Sequence, residues 1–138
     1  MIVIAKITTD ALDPAEHEKA VGDSRAGAVV SFVGVVRDHD QGRSVVSLSY
    51  EGHPTAEDVL YSVAREIIAE PSIIAVAVSH RVGPLNIGDV ALVASVASAH
   101  RQAAFSCCAQ LVDRVKEVLP IWKHQLFTDG TDEWVNCP

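Results

Sequence analysis

Apolar residues fall in short runs bounded by Gly, Pro, Asp and Ser, and the period of each run names an element. Residues 2–8 (IVIAKIT) predict an opening strand. Asp13-Pro14-Ala15-Glu16 predicts a helix start, with Asp at the cap, Pro at the first position and Glu at the third. That helix is short and polar, ends near Gly22, and is expected to leave His17 on the surface. Residues 27–37 (GAVVSFVGVVR) are rich in β-branched side chains and too long for one flat strand. Gly34 there marks a bulge or a close backbone approach. Residues 38–43 (DHDQGR) read as a polar loop and 44–51 (SVVSLSYE) as a returning strand. Residues 27–51 are therefore expected to form a hairpin with a long tip.

Thr55-Ala56-Glu57-Asp58 opens a second helix, with Val59, Leu60, Val63, Ile67 and Ile68 down one face. Two strands follow at 73–81 and 89–97, joined by the turn chemistry of Val82-Gly83-Pro84-Leu85-Asn86-Ile87-Gly88. Ser98 is expected to cap a third helix of about 20 residues. Its buried stripe is Ala104, Cys107, Cys108, Leu111, Val112, Val115 and Leu119, and Pro120 stops it. Residues 121–127 and 132–136 close the chain as a strand pair around Asp129-Gly130. Hairpins outnumber long crossovers, which predicts an α+β fold with a mainly antiparallel sheet and three helices. No repeat or linker interrupts residues 1–138, so a single domain is expected. The strands at 73–97 are candidates for a dimer surface, by edge pairing or face packing.

The formal charge of -7 excludes a general grip on nucleic acid, which needs a basic field. No apolar run approaches the roughly 20 residues of a membrane span. The start, Met1-Ile2-Val3-Ile4-Ala5-Lys6, carries no basic leader, so a cytoplasmic protein is expected. Cys107, Cys108 and Cys137 make neither a disulfide framework nor a CxxC metal pair, and read as buried or incidental thiols in a reducing compartment.

Candidate chemistry rests on cations. His100 and Arg101 sit in the first turn of the third helix, against the dipole and beside free amides. A phosphate or carboxylate between them would resolve that conflict; a solvated surface pair is the plainer alternative. Lys116 lies in the last turn, where a cation is comfortable without any function. Lys123 follows Trp122 near the start of a strand, and Arg37 ends a long apolar one. Each alone is an ordinary charged position. Asp38-His39-Asp40 resembles a metal cluster, but neighbours on one loop rarely converge on an ion, so no metal is expected. His80-Arg81 reads as structural or cleft-rimming, and His53 as a surface residue.

Taken in order, several segments resemble the molybdopterin synthase large-subunit family. They are Phe32-Val33-Gly34-Val35-Val36-Arg37-Asp38-His39, Leu48-Ser49-Tyr50-Glu51, His80-Arg81-Val82-Gly83 with Gly88-Asp89, and Ser98-Ala99-His100-Arg101 with Ala104-Phe105. Lys116, Pro120-Ile121-Trp122-Lys123 and Trp134-Val135 complete the set. The resemblance implies an α/β hammerhead-like fold and a homodimer within a heterotetramer. It implies a small ubiquitin-like partner subunit whose Gly-Gly tail ends as a thiocarboxylate. It further implies sulfur transfer to cyclic pyranopterin monophosphate, forming the dithiolene of molybdopterin in molybdenum cofactor synthesis, with no metal or organic cofactor. By the same resemblance, Lys116 and Lys123 are catalytic and handle the thiocarboxylate. Arg37, His100 and Arg101 hold the substrate, and Val35, Val36, His124 and Gln125 line its pocket. Relatives often carry a basic residue at the position of Val35 or His124, and some continue with basic residues beyond the position of Pro138. A non-catalytic module binding a ubiquitin-like partner or a phosphorylated metabolite is the alternative reading.

Overall fold

The computed structural model describes residues 1–136; Cys137 lies outside them. Two sheets and three helices are present among the described residues. The first sheet has the order β1 (Ile2–Thr8), β5 (Ile73–Arg81), β7 (Val90–Ser98), β2 (Ala28–Val35). Only its β1–β5 pair is parallel. The second has the order β3 (His39–Asp40), β4 (Arg43–Gly52), β8 (Ile121–Phe127), β9 (Asp132–Asn136), with β6 (Gly83–Leu85) also on β4. All its pairs are antiparallel. The α+β expectation with three helices holds, but the strands divide into two sheets.

The central strands β5 (IIAVAVSHR) and β7 (VALVASVAS) are buried along nearly their whole length. Both faces of this pair are covered, so apolar residues do not alternate with polar ones. Val76 and Val78 face the main core with α2 (Ala56–Ile68) and α3 (Arg101–Val118). Ala75 and Ala77 face a smaller cluster with Val21, just beyond α1 (Pro14–Ala20). Small side chains on that side let the short α1 lie close. This central position rules out β5 and β7 for edge pairing with another chain; the edges of this sheet are β1 and β2.

The helices follow their predicted faces. Leu60, Val63, Ala64 and Ile67 of α2 are buried, as is the whole expected stripe of α3. Leu119 leaves the helix in extended conformation (φ -67, ψ 122), as a residue before proline must. Ser98 does not cap α3. It ends β7, and its hydroxyl donates to the His100 carbonyl. His100 is the extended cap residue, with no side-chain cap bond.

Two further expectations fail. His17 is not a surface residue but is 1% exposed. Its Nδ1 lies 2.7 Å from the Asp13 carbonyl oxygen and its Nε2 2.7 Å from Ser79 Oγ. The ring therefore ties α1 to the sheet with both nitrogens satisfied, which a helical period cannot reveal. Residues 27–51 do not form one hairpin either. β2 pairs with β7 and β4 pairs with β8. β7 offers β2 an apolar partner over its whole length. A register shift at Gly34–Val35 then bends the chain out, where Val36 N–H bonds the Asp89 carbonyl. A small hairpin, β3–β4, replaces the expected tip loop, turning at Gln41 (φ 52) and Gly42 (φ 75). Positive φ at both centres is the two-residue turn that matches strand twist.

The sheets meet where Tyr50 of β4 packs edge-on against His80 of β5, with ring centroids 4.9 Å apart. Burial first, and the charge of Lys116 to a lesser degree, hold His80 down to about 4, against its backbone hydrogen bond to Arg81.

Two outcomes test this packing. Ser79→Ala leaves the buried His17 ring with an unmatched nitrogen and is expected to lower unfolding free energy by about 1–3 kcal/mol in urea melts. A change within a few tenths would show that the ring carries no such tie. Between about pH 6.5 and pH 4 the unfolded chain binds a proton at His80 that the folded protein refuses. This contribution is whole above pH 6.5 and is lost as pH falls through 4, amounting to up to about 3 kcal/mol. Urea melts across that window should show the slope in the wild type and a flatter one in His80→Gln. Equal slopes would contradict the assignment.

Candidate active site at the end of β2

Where β2 leaves its sheet, a cavity of about 400 Å³ opens between the two sheets and the end of α3. Three distant segments supply cations to it: Arg37 just beyond β2, Lys116 in the last turn of α3, and Lys123 on β8. Val35, Val36, Leu48, Tyr50 and Gln125 complete much of the wall. Gly34 lies in the same wall, and a Cβ there would sit 3.2 Å from the Phe32 ring. Any larger residue would force that ring to shift by a few tenths of an ångström or more.

Strand alternation decides which residues of β8 reach the cavity. Lys123 pairs with Tyr50 and Gln125 with Leu48, and all four line it. His124 projects to the other face, onto a separate hollow with Ser47, Ser49 and Asp132. There it stacks on Trp134 with centroids 4.3 Å apart, and its Nε2 lies 2.7 Å from Asp132 Oδ2. The structure therefore brings Arg37, Val35, Val36, Lys116, Lys123 and Gln125 together, but not His124. His100 and Arg101 are also elsewhere. They stand exposed at the start of α3, where Arg101 is fifteen residues before Lys116, about 22 Å along a helix.

Asp40 organises the cationic side. Its side chain is 15% exposed. Oδ2 accepts from Gln125 Nε2 at 2.6 Å and lies 3.9 Å from Lys123 Nζ. Oδ1 accepts from Arg37 at 3.2 Å. The Gln125 hydrogen bond, then the charges of Lys123 and Arg37, hold its carboxyl below the ordinary value against the opposing effect of burial. Asp38 instead turns outward to His39, 2.9 Å away. No group of three or more His, Cys, Asp or Glu able to hold a metal ion occurs among the described residues.

Sequence reasoning weighed Asp40 only as a possible metal ligand. The signal for its role was Gln41-Gly42: a two-residue turn sets Asp40 opposite Arg43 in a hairpin instead of leaving it on a loose loop. The sequence reads His80 as structural or cleft-rimming. It is fully buried and lines a small chamber beside the cavity together with Lys116.

The sequence model of the MoaE protein family matches residues 7–118. A molybdopterin synthase catalytic subunit from Bacillus subtilis is 34% identical over 131 residues, spanning 94% of this chain and 83% of that protein. The crystal structure of molybdopterin synthase from Staphylococcus aureus superposes with a TM-score of 0.86 at 32% identity, covering 94% of this chain and 95% of that one. A Helicobacter pylori chain, solved in a complex of subunits 1 and 2 of molybdopterin-converting factor, shares the fold. Its TM-score is 0.73 at 22% identity, over 95% of this chain and 88% of that one. The chain belongs to the MoaE family, that of the molybdopterin synthase catalytic subunits.

Proposed function

We propose that the cavity at the end of β2 is where a thiocarboxylate meets cyclic pyranopterin monophosphate, and that Lys116 and Lys123 handle the sulfur donor there. Family membership makes the chain an enzyme of molybdenum cofactor biosynthesis, a sulfurtransferase. The observation that carries the site assignment is the convergence of Arg37, Lys116 and Lys123 on one cavity in a protein of net charge -7. Both substrates are anions, and their approach costs Coulomb energy unless cations lie between them. Cations already fixed in place stabilise the charge that moves as sulfur attacks. Arg37 takes the phosphate, and Asp40 acts as the resident counter-anion that keeps Arg37 and Lys123 aimed.

The sulfur donor is the Gly-Gly tail of a small ubiquitin-like subunit. The Helicobacter pylori relative, solved with a second subunit, supports a partner of this kind. A heterotetramer of two large and two small subunits accommodates the separation of His100 and Arg101 from the cavity: in a homodimer these two serve the cavity of the second copy. Exposed Val29, Val33 and Val35 on the edge strand β2 supply apolar side chains for such pairing. Among the described residues no helix is long and apolar enough to cross a membrane.

Reconstitution with thiocarboxylated small subunit and cyclic pyranopterin monophosphate, read by the fluorescent oxidation product of molybdopterin, tests the assignment. Lys116→Ala and Lys123→Ala are each expected to cut turnover about a hundredfold or more with unchanged thermal melts. Wild-type turnover in both would sink the lysine roles, and a stable complex without product would favour a binding module. Lys116→Ala mixed with Arg101→Ala should regain about a quarter of wild-type activity, because half the dimers are mixed and each holds one intact site. No recovery after confirmed subunit exchange would place Arg101 within its own chain's site.

A further inference from the structure

Beside the substrate cavity lies a smaller chamber of about 70 Å³. The two share Phe32, Gly34, Val35, Tyr50 and Lys116 as wall, and His80 lines only the smaller one. His80 is 0% exposed. Its Nδ1 lies 2.7 Å from the Arg81 carbonyl oxygen. A carbonyl only accepts, so Nδ1 carries the hydrogen and Nε2 of the neutral ring carries a lone pair. That Nε2 is buried and has no hydrogen-bond partner among the described residues. Buried polar atoms are almost always paired, so this one calls for a donor from beyond the described residues. A chamber of this size takes one or two waters, each filling about 30 Å³.

The chemistry of the proposed reaction needs such a donor. When thiocarboxylate sulfur has displaced an oxygen substituent from a substrate carbon, that oxygen leaving with the bonding pair, the sulfur is still bonded to the acyl carbon of the small subunit's tail. Water must then add its oxygen to that acyl carbon. The acyl carbon–sulfur bond breaks, and sulfur keeps the electron pair as a thiolate on the pterin. The tail leaves as a carboxylate, and both protons of the water pass to solvent. Cleaving each thioester consumes one water and no oxidant or reductant.

We propose that His80 is the positioning residue for this water: Nε2 accepts its hydrogen bond and holds its oxygen toward the acyl carbon beside Lys116. The inference rests on the reading of the cavity as the sulfur-transfer site. Held to about 4, His80 stays neutral at physiological pH and keeps its lone pair available. The fixed tautomer, the edge-on contact with Tyr50 and complete burial leave the ring one orientation.

Single turnover of the full complex tests this, with intact-mass analysis of the small subunit under denaturing conditions. His80→Phe keeps a flat ring but no lone pair. It is expected to slow product release at least tenfold and to accumulate a small-subunit–pterin thioester that hydroxylamine cleaves. His80→Gln, which places an acceptor near the same point, should release product at close to the wild-type rate without the adduct. Unslowed release by His80→Phe overturns the inference, as does slow release without adduct. Absence of product from the wild type would instead overturn the underlying reading of the cavity. Should His80→Phe fail to fold, nitrogen-15 NMR of the wild type decides: a hydrogen on Nδ1 and none on Nε2 at pH 7 is expected, and the reverse tautomer contradicts it.

Discussion

A net-acidic chain can gather cations in one cleft only if something holds them against mutual repulsion. Two like charges about 4 Å apart at an effective dielectric of 20 repel by about 4 kcal/mol. Here the Asp40 carboxylate does the holding, bonded to Arg37 and Gln125 and 3.9 Å from Lys123. It comes from the two-residue strand β3, whose position depends on the turn at Gln41 and Gly42. The charge pattern of the cavity thus depends on a two-residue strand that contributes nothing to the core.

The larger architecture places that hairpin. Strands β5 and β7, covered on both faces, form the rigid centre on which α2 and α3 pack. The register shift at Gly34–Val35 releases β2 from this sheet where the second sheet begins. The cavity therefore forms at the junction, and its cations arrive from the end of a strand, the end of a helix and the middle of another strand. Junctions between sheets leave such space because side chains of neither sheet can fill it. His80 and Tyr50 bound it on the buried side.

Elements with strong periodicity were legible from the sequence. The stripe of α3 from Ala104 to Leu119 is buried as read, and the closing strand pair turns at Asp129-Gly130. Strand pairing was less legible. The return of residues 44–51 after 27–37 suggested a hairpin, yet β2 and β4 lie in different sheets, because partner choice is a long-range competition that β7 wins. The family resemblance pointed to Arg37, Lys116, Lys123 and Gln125, and these share one cavity. His124 turns away because alternation on β8 is strict. The burial of His17 and the link from Asp40 to Gln125 are not legible locally, because Ser79 and Gln125 lie 62 and 85 residues away.

The central claim is that the cavity binds anions through cations balanced by Asp40. The Michaelis constant of Asp40→Asn for cyclic pyranopterin monophosphate, measured across a range of salt concentrations, tests it most directly. Asn keeps the shape and the acceptor for Gln125 but turns an amide donor toward Arg37 and removes the charge that balances Arg37 and Lys123. A Michaelis constant several-fold above wild type is expected, because the two cations lose the group that holds them in place. An unchanged or lowered Michaelis constant would contradict the role given to Asp40.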